Sequence, residues 1–162
     1  MICFYVYLDK RLADIATEDW SSEINSLSEL TTYCTLKTLL DSEIYLHSIS
    51  FCQYRRALAK LRCSSHRLAI ERLRGVVDRP GRVCKYCLNL KNCSFIEDEY
   101  YFITMCPLYE TIRQTYISQY CIERSPVHFV YILSSKSETV IKRLARSTYY
   151  TFKLHSEFMG FS

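Results

Sequence analysis

The chain has 162 residues, of which 49% are hydrophobic and 23% charged, with a net charge of +4. This is the length of one domain and the composition of an ordinary globular protein, which excludes a disordered or collagen-like chain. Because only three Gly and three Pro are present, a loop-rich β-sandwich is also disfavoured, and we predict a single, mainly α-helical domain over residues 1–162.

The N-terminal segment is apolar over residues 1–8, and charged residues follow from Asp9. No basic residue precedes the apolar run, as it would in a secretory signal, so an apolar strand or the first turn of a helix is the better interpretation. No segment approaches the roughly 18 apolar residues that cross a bilayer. The chain has nine cysteines, an odd number. We therefore expect a protein of a reducing, intracellular compartment, nuclear or cytoplasmic, with no membrane association.

Apolar residues recur at helical spacing in several parts of the chain. The spacing predicts one or two helices in residues 9–40 and another in residues 49–61. Pro107 is placed as the first residue of a later helix, and Ser137 as the N-cap of the last one. The predicted organisation is N-terminal helices in 1–62, a basic and Cys-rich segment in 63–107 with a small knuckle insert at 82–107, and C-terminal helices in 107–162.

Positive charge is concentrated in one stretch. Residues 55–85 contain ten Lys or Arg and two acidic residues, a net +8, whereas residues 1–54 carry −5 and residues 86–162 carry +1. Such a block is typical of a surface that follows a phosphate backbone, although Arg-rich helices can also be merely solvated. Tyr86 or Tyr101 would then stack on bases. We predict weakly sequence-specific binding of RNA or single-stranded DNA by six residues: Arg55, Arg56, Lys60, Arg62, Arg67 and Arg72.

The cysteines after the basic block have the spacing of metal ligands. Cys84 and Cys87 form a C-x2-C pair that can bind one side of a tetrahedral zinc ion. Cys93 and Cys106 complete a C-x2-C-x5-C-x12-C set of four thiolates. His66 is the alternative fourth ligand, although it could equally be a core histidine. Buried cysteines without a metal are the competing interpretation. The predicted zinc ligands are Cys84, Cys87, Cys106 and, as the fourth, Cys93 or His66.

The acidic residues do not form a catalytic pattern. Two-metal polymerase or nuclease chemistry needs several carboxylates that converge on the metal ions. Glu97, Asp98 and Glu99 are consecutive, but no partner carboxylate stands in a strand context. We see no Gly-rich phosphate loop and no Ser/His/Asp set. We therefore expect residues 97–99 to form a solvated turn or a helix start, and the chain to be non-catalytic with no small-molecule substrate.

Four short motifs follow one another in a characteristic order. They are residues 57–72, the RVCKYC knuckle at 82–87, the acidic IEDEYYF at 96–102 and CPLY at 106–109. Together they resemble the C-terminal extension of LINE-type non-LTR retrotransposon reverse transcriptases, over roughly residues 10–120. In that family a basic stretch is followed by a C-x2-C knuckle, an acidic stretch and a C-P-x-Y end.

The resemblance implies a zinc-knuckle-like, nucleic-acid-associated tail of retroelement origin. It implies that Cys84, Cys87 and Cys106 correspond to three zinc ligands. The chain has Tyr101 where the family has a histidine, and Leu73 where it has a glycine. A phenol is a poor zinc ligand because its pKa is near 10. The alternative functions are a helical protein-interaction module that binds an acidic partner, and a retrotransposon relic with no selected role.

Overall fold

The computed structural model describes residues 2–27, 31–37, 40–120 and 123–160, with side chains from residue 10 onward except at residue 31. Within these residues the regular structure is helical, apart from one isolated antiparallel bridge between Val83 and Ile96. The predicted mainly α-helical class is confirmed. The α-helices are α1 (Ile2–Ser26), α2 (Thr31–Leu36), α3 (Ile44–Ser48), α4 (Cys52–Arg62), α5 (Ala69–Arg72), α6 (Lys85–Lys91), α7 (Glu110–Tyr116), α8 (Pro126–Leu133) and α9 (Glu138–Met159).

Shorter helical turns join these elements. Pro107, predicted to start a helix, begins a 3₁₀ turn (Pro107–Tyr109) that leads directly into α7. Ser137 does precede α9, but its side chain makes no capping hydrogen bond. Ser125, by contrast, accepts a hydrogen bond from the backbone N–H of His128 at 3.1 Å and so caps α8.

The core is built around α9. Its buried side chains recur at spacings of three and four, as expected for one face of a helix; they include Ile141, Leu144 and Ala145. α4 packs along this face more extensively than any other element and contributes Leu58 and Leu61. Each buried Leu or Ile contributes about 1.5–3 kcal/mol. The α4–α9 pair is therefore the main stabilising contact.

α1 contributes much less to this core. Its side chains from residue 10 to residue 19 are exposed, and Ile24, near the end of the helix, is buried. α1 begins at Ile2, so the N-terminal apolar run is helical rather than a strand. No helix in the described ranges is both long and apolar enough to cross a bilayer.

Two arginines fix the segment that joins α4 to α7. Arg82 donates hydrogen bonds to the carbonyl oxygens of Val77 (2.8 Å) and Ile70 (3.0 Å), which closes the loop after α5. Arg113, buried in α7, donates to the carbonyl oxygens of Ile103 (3.0 Å) and Cys106 (2.8 Å). The basic block therefore serves partly to hold the backbone in place.

Candidate metal centre and candidate nucleic-acid interface

The C-x2-C pair lies at the start of α6. The Val83–Ile96 bridge closes the part of the insert that contains α6, and the N–H of Cys84 donates to the carbonyl of Phe95 at 2.9 Å. Cys84 directly precedes α6, and Cys87 lies three residues further on, in its first turn. Residues three apart on a helix lie on the same face. The two thiols are therefore on one side of the insert.

Cys106 completes a cluster of three buried thiols, which we call the cysteine cluster (Cys84, Cys87 and Cys106). It ends a π-helical turn (Tyr101–Met105), where its N–H donates to the carbonyl of Tyr101 at 2.9 Å. Its Sγ lies 3.9 Å from the Sγ of Cys84 and from that of Cys87. The three sulfurs lie within 4.8 Å of one another, and each residue is at most 1% exposed. Ligands of one tetrahedral zinc are separated by about 3.8 Å when the Zn–S bonds are about 2.3 Å. The cluster therefore has the spacing of a metal site.

Neither predicted fourth ligand belongs to this cluster, which corrects the four-ligand set. Asn92 ends α6 in the left-handed conformation with φ 51°. The chain then turns so that the Cys93 thiol donates to the carbonyl of Lys91 at 3.2 Å. His66 is a core histidine: its side chain is 1% exposed and its Nε2 lies 3.0 Å from Glu99 Oε1. Among the described residues, the three cysteines are the only group of three or more potential metal ligands whose ligand atoms lie close together.

Tyr101, at the position of the family's histidine, contacts the cluster through its hydroxyl. The hydroxyl oxygen lies 2.9 Å from Cys87 Sγ, at hydrogen-bond distance, and the ring stacks on Phe95 with centroids 5.1 Å apart. Because Tyr101 is buried, the prediction that it stacks on bases is wrong. Tyr86, the other predicted platform, is half-buried and packs edge-on against Phe158.

Hydrogen bonds within the cluster give its three thiols different pKa values. The hydrogen bond with Cys106 lowers the pKa of Cys84 to about 7, against the opposing effect of burial. The same bond, together with burial, raises the pKa of Cys106 far above its ordinary value. Burial also raises the pKa of Cys87. Cys84 is therefore the thiol of the cluster that ionises first.

The acidic triplet is not a solvated turn, and this prediction is corrected. Glu97 is only 4% exposed; one of its carboxylate oxygens lies 3.2 Å from His155 Nε2 and the other accepts from the N–H of Ala69 at 2.7 Å. Asp98 accepts from the N–H of Tyr101 at 2.8 Å and so caps the helical turn that follows. The alternative prediction of a helix start therefore describes Asp98 correctly.

Glu99 is the centre of a second buried polar network. It accepts hydrogen bonds from Ser64 at 2.8 Å, from Thr32 at 3.2 Å and from His66. Burial alone would raise the pKa of Glu99, but the hydrogen bonds outweigh burial and hold its pKa below the ordinary value. Buried carboxylates are stable only when they are paired. Glu97 and Glu99 are therefore structural residues of the core.

An open groove of about 1010 Å³ lies between α4, the turn at residues 64–67 and α9. We call it the basic groove. Four cations line it, and no Asp or Glu is among the described residues of its wall. Tyr149 and Phe152 form an aromatic part of the wall. The cations are Arg56 and Lys60 from α4, Arg67 from the turn and Lys153 from α9.

Half of the six predicted nucleic-acid residues line this groove and half do not. Arg56, Lys60 and Arg67 are exposed there. Arg55 is half-buried and donates to the carbonyl of Ile49 at 3.1 Å.

Arg62 and Arg72 are also outside the basic groove. Arg62 is buried and pairs with Glu43 at 3.1 Å, while also donating to the carbonyl of Leu133 at 3.1 Å. Arg72 is half-buried. The predicted set of six residues is thus corrected, because helix α4 turns Arg62 towards the core while Arg56 and Lys60 remain outside.

The sequence interpretation missed the residues that α9 contributes to the basic groove. Lys153, Tyr149 and Phe152 lie some 90 residues after Arg56 and Lys60, in a region without excess charge. The spacing of apolar residues in the last helix could have shown which face packs, but not that it packs against α4.

Comparison with known proteins adds no assignment: no family model, no curated protein and no solved structure matches this chain.

Proposed function

We propose that the chain is a non-catalytic, retroelement-derived module that binds the backbone of RNA or single-stranded DNA in the basic groove. The observation that carries this proposal is the groove wall, whose described residues include four cations and no acidic side chain. Retroelement origin rests on the ordered motifs that resemble reverse-transcriptase tails. Phosphate contacts are independent of sequence, so little base preference is expected.

The shape of the groove favours single strands. A groove that follows a single strand combines cations for the phosphates with aromatic rings on which bases stack. Tyr149 is half-buried on the same wall as Lys153. Its ring is held by edge-on contact with Tyr54, with centroids 5.3 Å apart. Tyr149 is therefore the proposed stacking residue.

The cysteine cluster is proposed to bind a metal ion that links α6 to the π-helical turn. Zinc is the ion that the family resemblance implies, and three of its four usual ligands fit. When zinc is bound, it supplies folding free energy by joining distant ligands. Metal content of protein purified under reducing conditions tests this part of the proposal, and a cluster that retains no metal would refute it.

The absence of catalysis is also a proposal. The pairing of Glu97 with His155 and of Glu99 with His66 supports it, because carboxylates engaged in the core do not bind catalytic Mg²⁺. Nuclease and polymerase assays with Mg²⁺ or Mn²⁺ should give background rates. Activity that disappears in Glu97→Ala or Asp98→Ala would refute a purely binding function.

One observation favours the alternative of a protein-interaction module. Val127 and Tyr131 are 81% and 69% exposed, and they lie four residues apart on α8. Two apolar residues on one helix face are a small surface compared with those of stable protein interfaces. We therefore place nucleic-acid binding first.

Binding to random single strands at low and high salt tests the nucleic-acid proposal. Release of counterions lowers log K by about 0.7 per neutralised phosphate for each unit of log salt. The variant Arg56→Gln, Lys60→Gln, Arg67→Gln should therefore reduce the slope by roughly two units. A second variant removes three exposed cations outside the groove and should keep the slope: Lys91→Gln, Lys136→Gln, Arg143→Gln.

The outcomes separate the candidate functions. Loss of binding in the groove variant alone supports the proposal. An equal loss in both variants would mean that net charge, rather than the groove, drives binding. No binding at low salt would refute nucleic-acid binding and leave the interaction module or the relic.

A further inference from the structure

We propose that the cysteine cluster is a three-thiolate site for a soft ion that accepts three ligands, Cu⁺, and that Tyr101 closes its fourth side in place of a ligand. The inference rests on the proposed metal binding of the cluster and specifies the ion and its coordination. It is independent of the basic groove.

The sulfur positions allow three-coordination. With metal–sulfur bonds of about 2.3 Å, three sulfurs around one ion lie about 4.0 Å apart in a trigonal plane and about 3.8 Å apart in a tetrahedron. The distances from Cys106 Sγ to the Sγ atoms of Cys84 and Cys87 are both 3.9 Å. The spacing of the sulfurs fits both geometries, so the fourth position decides between them.

Among the side chains that the structure describes, none that binds zinc occupies the fourth position. The three cysteines form the complete metal-ligating group that the described residues bring together. His66 is held by Glu99, and the Cys93 thiol is directed to the carbonyl of Lys91. Structural zinc sites almost always have four N, S or carboxylate ligands. Within the described part of the chain, the cluster thus lacks the fourth ligand that structural zinc requires.

Tyr101 takes the place of the missing ligand without acting as one. Its hydroxyl is 2.9 Å from Cys87 Sγ, whereas two ligands on one tetrahedral zinc would be about 3.5 Å apart for an oxygen and a sulfur at bond lengths of about 2.0 and 2.3 Å. The short separation is that of a hydrogen bond between the phenol and the sulfur. When Cys87 is a thiolate it has no proton, so the phenol must be the donor. Tyr101 is therefore a positioning residue for the Cys87 thiolate.

The site is closed to bulk water, which would otherwise supply a fourth ligand. Each of the three cysteines is at most 1% exposed, and Tyr101 is 7% exposed with Phe95 stacked on its ring. Thiolates select Cu⁺ as well as zinc and iron–sulfur clusters. Of these, Cu⁺ is the one that is stable with three sulfur ligands, whereas structural zinc takes four ligands. The chemistry of the cluster therefore points to Cu⁺ rather than to Zn²⁺.

The decisive comparison is between wild type, Tyr101→His and Tyr101→Phe. Each protein is loaded with Cu⁺ or with Zn²⁺ in the absence of oxygen. X-ray absorption then gives the ligands of the bound ion, and chelator competition gives its affinity. Wild type should bind one Cu⁺ through three sulfurs. Tyr101→His should bind Zn²⁺ at least about tenfold more tightly than wild type, the scale on which changes around a metal site act. Its Cu⁺ affinity should not rise in the same way. Tyr101→Phe should keep the three-sulfur Cu⁺ site.

Each other result overturns the inference in a distinguishable way. A fourth oxygen ligand at about 2.0 Å from Zn²⁺ that is lost in Tyr101→Phe would make Tyr101 a zinc ligand. Equal Zn²⁺ affinity in wild type and Tyr101→His would show that the fourth side does not determine selectivity. Binding of neither ion would refute the proposed metal site itself. Cys93→Ser is the matched control, since its thiol lies outside the cluster, and it should behave as wild type.

Discussion

The cysteine cluster and the basic groove differ in how far apart in the sequence their residues lie and in how much water reaches them. The cluster draws on residues 84–106 and is closed, so its selectivity depends on ligand chemistry at short range. The groove joins α4 to α9 and is open, so its binding depends on summed charge and on salt. Because the two sites work through different physical effects, a change in one should leave the other intact.

The largest expected effect is the loss of metal binding in Cys106→Ser. One of three thiolates is removed, so metal affinity should fall by more than about 100-fold, the upper range for changes to mere outer-shell partners. Binding of single strands should change less than about twofold, because no groove residue is altered. Metal competition and fluorescence anisotropy on the same preparation measure both.

A fall in both properties would contradict the independence of the two sites. Serine at a fully buried position can also disturb folding, so circular dichroism should accompany the assays. Cys93→Ser serves as the control for cysteine chemistry outside the cluster.

The same difference explains how much of each site could be predicted from the sequence. Cys84 and Cys87 were predictable because a spacing of three residues at the start of a helix brings two ligands together. Cys106 was predicted from the longer C-x2-C-x5-C-x12-C pattern and from the family resemblance. Cys93 was wrongly included because the left-handed turn at Asn92, which directs its thiol away, leaves no signal in the cysteine spacing. Local patterns thus identify local ligands but not the path of the chain between them.

The groove and the buried acids were harder to predict because they depend on packing. Helical periodicity predicted α4 and α9, yet it does not say that they pack together and bring Lys153 beside Arg56. Glu97 and Glu99 were expected in solvent because isolated carboxylates are costly to bury. Their partners, His155 and His66, are far away in the sequence. Long-range pairing therefore reversed an expectation based on residue type.

The second largest effect concerns the polar core. Glu97→Gln removes a buried charge that His155 and the N–H of Ala69 contact, and should lower the free energy of unfolding by about 2–3 kcal/mol. Glu123→Gln, at an exposed position, should change it by less than about 0.5 kcal/mol. Urea unfolding followed by circular dichroism provides the comparison. Equal midpoints for the two variants would show that Glu97 does not stabilise the fold.

A smaller effect should separate stacking from charge within the groove. Tyr149→Ala should weaken binding of a single strand about fivefold, or about 1 kcal/mol, the lower range for loss of one stacked base. The salt slope should stay constant, because no phosphate contact is lost. Tyr131→Ala is the control, since Tyr131 is an exposed tyrosine on α8 outside the groove. If the control loses as much affinity as Tyr149→Ala, the strand does not bind in the basic groove.

The smallest effect is a difference of one in the number of protons that metal binding releases at low and at high pH. It concerns the cysteine cluster alone. Thiols must lose their protons to bind a metal. The pKa of Cys84 is lowered to about 7 by its hydrogen bond with Cys106, whereas the pKa values of Cys87 and Cys106 are raised.

Below a pH of about 7 all three thiols carry protons, and above it Cys84 is already a thiolate. Metal binding should therefore release about three protons at about pH 6 and about two at about pH 8, and affinity should weaken as the pH falls. A pH indicator in weak buffer counts the protons. Equal release at both values would show that Cys84 is not ionised separately. Strand binding should not follow this dependence, because Arg and Lys keep their charge throughout the range.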